Sequence, residues 1–200
     1  VNFPRLFQGF LYFAAHSKLI TAKKTILFSA LFLCLFASCK KSNSNSSNSN
    51  YHFTATVDGK AQTFNVSPLA TQLTAYGVTT VAIEGFTGTG TATQAFILGV
   101  TSDLASSFTF HTGAYSDTTV GYSLTGSFTT SGAQAYASGT SVTGEASSAG
   151  VSVNHLKITI TSLDSTAVKG TFSGDFFFEG DLTGTKQTIT NGDFFVPWKK

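Results

Sequence analysis

The chain has 200 residues and a formal charge of +2, yet six of its twelve basic residues precede Tyr51 and all ten acidic residues follow it. From Tyr51 onward six basic residues face ten acidic ones, a balance of −4, so the basic footprint of a nucleic-acid-binding protein is absent and that partner class is set aside. Both cysteines, Cys34 and Cys39, also precede Tyr51, which leaves the rest of the chain without a thiol nucleophile or a disulfide.

Lys23 and Lys24 lead into residues 25–36, ten of which are apolar. As a helix this run would be ~18 Å long, against the ~30 Å of a bilayer's hydrocarbon core, so it is too short to span and fits the apolar centre of a signal peptide. It ends in Leu35-Phe36-Ala37-Ser38-Cys39. That ending resembles the lipobox of bacterial lipoprotein precursors, where small residues occupy the two positions before an acylated cysteine. Ala37 and Ser38 meet the requirement, while Phe36 stands where an aliphatic residue is usual. Cys34 follows Leu33 and does not fit. The resemblance implies a signal peptide over residues 1–38 and lipidation of Cys39. The chain contains no methionine. Residues before Lys23 therefore read either as a translated upstream region, with the true start near Leu19 or Ile20, or as a long leading segment removed with the signal.

Residues 40–50, KKSNSNSSNSN, contain nothing to bury and are expected to be a disordered tether, residues 39–50 in all with Cys39. Its r.m.s. reach is roughly 18 Å at ~5–6 Å × √n.

Residues 51–200 form the third segment, an expected all-β domain. Tyr51, Phe53, Ala55 and Val57 alternate with His52, Thr54 and Thr56, and Asp58-Gly59 then supplies a tight hairpin turn into a return strand over residues 61–66. Residues 67–76 admit a short helix or a strand. Residues 78–86 and 94–101 are clearer strands, followed by 107–111 and 120–129 and a Ser/Ala/Gly-rich stretch to Gly150. Leu156, Ile158 and Ile160 share a strand face. Phe172, Phe176 and Phe178 share the next, with Ser173, Asp175, Phe177 and Glu179 opposite. Residues 186–190 and 194–198 flank Asn191-Gly192, which is either a two-residue turn or a bulge that switches facing parity. Eighteen glycines between Gly59 and Gly192 and no long helical period argue for an antiparallel β-sandwich of eight to ten strands, with an up-and-down barrel as the alternative.

Catalytic signatures are missing. Gly121-Tyr122-Ser123-Leu124-Thr125 fails the serine-hydrolase elbow at its last glycine, and Gly88-Thr89-Gly90 lacks the spacing of a dinucleotide loop, so no cofactor is expected. His52, His111 and His155 are scattered and form no zinc pattern. Asp175 and Glu179 share a strand face ~13 Å apart, beyond the ~5–9.5 Å of glycosidase carboxyl pairs, and read as a solvated face. Phe177 and Phe195 fall on the outward face of their strands and form a candidate binding surface for a glycan or an envelope protein, unless they cover each other or a loop.

FTATVDGKAQTF (53–64), ITITSLDSTAVKGTFSGDF (158–176) and ITNGDFFVPW (189–198) resemble uncharacterised Bacteroidota lipoproteins carrying a β-rich domain of unknown function. The resemblance implies an envelope location and an all-β fold, and no activity. It also implies O-glycosylation at Asp-Ser/Thr tripeptides, which here fall on Ser165 in Asp164-Ser165-Thr166 and on Thr118 in Asp117-Thr118-Thr119. Lys40 directly after Cys39, and the lack of acidic residues up to Asn50, imply an outer-membrane lipoprotein facing the periplasm. The expected function is a non-catalytic binding or scaffolding module. The alternative is a barrel that carries an apolar small molecule, and a filled core or an open cavity tells the two apart.

Overall fold

The computed structural model describes residues 50–88, 93–103, 108–178 and 185–200; the expected signal peptide, Cys39 and the tether up to residue 49 lie outside them. Thr, Val, Ile and Phe alternating with small polar residues favour extended backbone. They give β1 (His52–Val57), β2 (Lys60–Thr63), β3 (Val66–Ala75), β4 (Val78–Phe86), β5 (Ala95–Ser102), β6 (Gly113–Ser116), β7 (Tyr122–Thr129), β8 (Ala135–Gly139), β9 (Lys157–Leu163), β10 (Ala167–Phe178) and β11 (Lys186–Lys199), with one helix, α1 (Thr140–Ser148), between β8 and β9.

The all-β expectation holds, and the strands join in one eleven-stranded sheet ordered β2-β1-β11-β3-β4-β5-β7-β8-β10-β9-β6. The sheet is mixed, whereas an antiparallel one was expected. β11 and β3 run parallel through Trp198↔Ala70 and Lys199↔Thr71, while the other strand pairs are antiparallel. β10 pairs along most of its length with β11 and, at its far end, with β8 through Phe177↔Ala137 and Phe178↔Tyr136. Hydrogen-bonded neighbours therefore form a circuit from β11 through β3, β4, β5, β7, β8 and β10 back to β11. Such a circuit leaves few open edges, and the two that remain, β2 and β6, are four residues each.

Phenylalanine fills the space inside this circuit. Phe96 on β5 is fully buried and lies 5.0–5.9 Å, centroid to centroid, from the rings of Phe128, Phe172, Phe64, Phe176 and Phe53. Those partners come from β7, β10, the β2–β3 connection and β1, so a single ring joins both halves of the sheet. A second run of rings continues from Trp198 to Phe110 and Tyr115, stacked at 5.5 Å each.

Turn chemistry sets the registers. Asp58 and Gly59, at φ +45° and +77°, close a two-residue β1–β2 turn beside the pair Val57↔Lys60. Asn191-Gly192 is a bulge and not a turn, because β11 runs unbroken through it. Two steps along β1 (Thr54 to Thr56) and along β10 (Phe172 to Gly174) each match three steps along β11, from Asp193 to Thr190 and from Gly192 to Ile189. Asn191 takes φ +49° there, and Ile189 and Phe194, five residues apart, both face the core. Gly192 lets Phe172 pack flat against the backbone, since an added Cβ would sit 2.5 Å from its ring.

Three local expectations change. Residues 67–76, open between helix and strand, fall mainly in β3, with Tyr76 in the turn after it. The strand expected over 107–111 is absent from its described part, and β6 follows it instead. The Ser/Ala/Gly stretch holds β8 and α1, which no periodicity announced. Gly139 at φ +116° precedes α1 without a side-chain cap, and neither end of the helix carries a complementary charge. Tertiary contacts hold it: Val142 and Ala146 pack on Phe177, and the Thr143 hydroxyl donates to Asp117 at 2.7 Å.

Candidate functional site

The outward face of β10 divides into two parts. Lys169 and Thr171 are exposed in its first half, while Asp175 and Phe177 are buried in its second half beneath α1 and residues 151–156. This corrects the reading of Phe177 as a binding residue. It lies on the expected face, but α1 covers it to 1% exposure. Nor can it act with Phe195, because Phe195 pairs in register with Lys169 and Phe177 with Lys186, eight residues further along β10, or ~26 Å at ~3.3 Å per residue.

Asp175 is likewise not a solvated carboxylate. Its side chain is fully buried and accepts from Asn154 N (2.9 Å), Asn154 Nδ2 (3.1 Å), Lys186 Nζ (2.8 Å) and Thr188 Oγ1 (2.9 Å). Burial pushes its pKa up, but the backbone N–H of Asn154, with Lys186, the Asn154 amide and Thr188, outweighs that and holds it below the ordinary value. Glu179 and Asp181 lie outside the described residues. A second buried carboxylate, Asp117, accepts from Leu156 N (2.8 Å) and Thr143 Oγ1 (2.7 Å), with His155 Nδ1 2.9 Å from its other oxygen. The two aspartates thus pin residues 154–156 and α1 to the sheet. Both are structural.

Phe195 keeps its place on the surface, in company the sequence did not indicate. His52, Phe195 and Lys169 pair across β1, β11 and β10 and so stand side by side on one face. With Asn50 they line a shallow, open depression of about 530 Å³. Tyr51 tilts against Phe195 at 5.1 Å, so it belongs to this surface and not to the core stripe that the alternation from Tyr51 to Val57 implied. Asp193, two residues before Phe195, completes the group: His52 Nε2 lies 2.6 Å from its Oδ2, and His52 Nδ1 lies 2.9 Å from Asn50 O. Both imidazole nitrogens face acceptor oxygens, so the ring is held in place from both sides. Lys169 has no ion-pair partner among the described residues. No three His, Cys, Asp or Glu side chains converge to hold a metal among the described residues. The arrangement offers ring faces, a carboxylate and a lysine that has no ion-pair partner among the described residues, which is equipment for holding a ligand.

No family model, curated protein or solved structure matches the chain.

Ser165 and Thr118 are both exposed. Ser165 occupies the turn between β9 and β10, where Asp164 Oδ1 accepts from Thr166 N (2.7 Å), Thr166 Oγ1 (2.8 Å) and Ala167 N (2.9 Å). These bonds lower the Asp164 pKa and fix the turn with its serine outward. Thr118 follows the buried Asp117, whose carboxylate is occupied, and is the poorer acceptor. Mass spectrometry of native protein is expected to find a glycan on the peptide covering residues 160–169; full recovery of that peptide unmodified would refute modification at Ser165.

Proposed function

We propose that this chain is a non-catalytic cell-envelope lipoprotein whose β-domain binds a glycan or envelope component through the face of β1, β11 and β10. The observation that carries this reading is the contrast between a core packed with phenylalanine and the half-exposed rings of Phe195 and Tyr51 at an open depression. A carrier of an apolar molecule needs internal space, whereas here Phe96 and its five neighbours occupy the centre. Residues 1–38 serve as the signal, Cys39 carries the lipid, and residues 40–50 hold the domain close to the outer membrane on its periplasmic side. The resemblance to Bacteroidota lipoproteins supports the same location.

Fractionation after an alkaline carbonate wash, which strips protein held only by its folded domain, tests the anchor: wild-type protein is expected in the membrane pellet and Cys39→Ala in the soluble fraction, and a Cys39→Ala protein that stays fully in the pellet would refute lipidation there. Binding has a separate test. Soluble Cys39→Ala protein is expected to be retained by envelope fragments from its own cells, and adding Phe195→Ala should release it. Retention unchanged by Phe195→Ala sinks the assignment to this face.

A further inference from the structure

Several other features lead nowhere further. The strap is pinned by internal bonds to Asp117 and Asp175, and both carboxylates serve the fold. Tyr76, exposed at the tip of the β3–β4 hairpin, is a single ring with nothing beside it to define a ligand. Glu84 sits half-buried on β4 between Leu69 and Ile97, and nothing in the structure shows what covers that face.

The depression between β1 and β10 differs, because its groups are chemically complementary to one kind of molecule. We infer that it is a subsite for an acidic saccharide, a sugar ring bearing a carboxylate. The inference rests on the reading of this face as a binding surface and names its ligand class.

The Phe195 ring, propped by Tyr51 at 54° to its plane, presents an apolar surface against which the C–H face of a pyranose can pack. Lys169 adjoins it in register on β10, in a domain of balance −4, and no carboxylate of the protein neutralises it among the described residues. An ammonium left unpaired next to an aromatic surface suits an anion attached to that ring. On the opposite side Asp193 is anchored by His52 through Oδ2 only, which leaves Oδ1 to accept from sugar hydroxyls. Thr171, exposed and paired with Asp193, places a hydroxyl beside it. The His52–Asp193 contact joins two part-exposed side chains, 33% and 41%, across strands β1 and β11, so this wall is set before a ligand arrives. A phosphate-bearing membrane surface would use Lys169 and the rings but presents few hydroxyls for Asp193 to accept from. The observations favour the saccharide.

Titration calorimetry of the soluble Cys39→Ala protein, which lacks the lipid anchor and needs no detergent, decides the matter, with a galacturonic acid tetrasaccharide, its fully methyl-esterified form and anionic phospholipid vesicles as probes. The acid form is expected to bind at least tenfold more tightly than the ester. Lys169→Gln should erase that difference while leaving the weak ester binding, and Phe195→Ala should abolish both. Lys60→Gln, on the distant β1–β2 turn, should change nothing. Equal affinity for acid and ester, both lost in Phe195→Ala, would overturn the acidic class and leave the binding surface standing. Binding of the vesicles alone would transfer the face to a membrane role and overturn the saccharide. Absence of binding to every probe at millimolar concentration would overturn the inference, while the envelope-retention experiment still reads out the surface independently.

Discussion

Phe96→Ala is expected to cost about 3–5 kcal/mol, the usual loss for truncating a buried phenylalanine. It should fall at the upper end of that range. Phe96 is fully buried and meets five other rings, so the substitution removes edge and stacking contacts of ~0.5–1.5 kcal/mol each as well as transferred area. The hole would also lie between the two halves of the sheet, where β5, β7, β1 and β10 cannot all collapse inward together. For a domain of this size the melting temperature should drop by about 10 °C, at roughly 2–4 °C per kcal/mol. Phe96→Leu keeps most of the volume and should cost less than half as much. Urea denaturation of both variants provides the check. A loss below about 1 kcal/mol for Phe96→Ala would mean that the ring is not the centre of the core.

Much of that core was legible from the chain, and the reasons lie in particular residues. In β4 the run from Val78 to Phe86 is rich in β-branched residues and bounded by glycine and threonine, and the strand falls on that span. Asp58-Gly59 is a turn because two successive positive φ values suit that pair. Asn191-Gly192 has the same chemistry yet makes a bulge. Only the partners on both sides decide between the two, since β1 and β10 each hold β11 continuous through it. β3 stayed ambiguous because Ser67-Pro68 opens a helix as readily as it starts a strand. The closing of the sheet was invisible, as it depends on pairs 40 or more residues apart such as Phe177↔Ala137.

The site was legible only in one residue. Alternation put Phe177 and Phe195 on the outer faces of their strands, and both do lie there. Which of them meets solvent depends on α1, and TSVTGEASS signals its helix poorly, being rich in β-branched and small polar residues and lacking a cap. His52, Lys169 and Asp193 lie far apart in sequence, and no spacing brings them together. Register does: Lys169 and His52 both pair with Phe195, and Thr54 and Thr171 with Asp193. Asp175, expected to face solvent, is buried and accepts from four donors because residues 151–156 and α1 fold over it.

Asp175→Ala is the other substitution with a large expected effect. Asn154 pairs with Asp175 in both directions, since Asp175 N donates to Asn154 O at 2.8 Å while Asn154 N donates to the carboxylate. Removing the carboxylate strands that N–H, the Asn154 amide and the Thr188 hydroxyl. Lys186, 37% exposed, can turn back to water and recover part of its solvation. The cost should therefore be about 2–3 kcal/mol, below the ~3–5 kcal/mol of breaking a fully buried pair. The residues it pins cover Phe177 together with α1, so amide exchange in 140–156 should rise more than in β4 or β5. A pH dependence follows with a definite sign. A carboxylate whose folded pKa lies below its unfolded value of about 3.9 adds stability that is present above that value and lost as pH falls through the folded one. Asp164 acts in the same sense, while Glu84, raised by burial, acts in the opposite one and costs stability above its unfolded value. Asp175→Asn separates the shares, because it keeps the shape and removes the titration, while the cost of its amide nitrogen facing donors at one oxygen position does not vary with this titration. The stability gap between wild type and Asp175→Asn should be widest near neutral pH and shrink as pH falls below about 4. A gap that stays constant across that range would show that Asp175 contributes through packing and not through its charge.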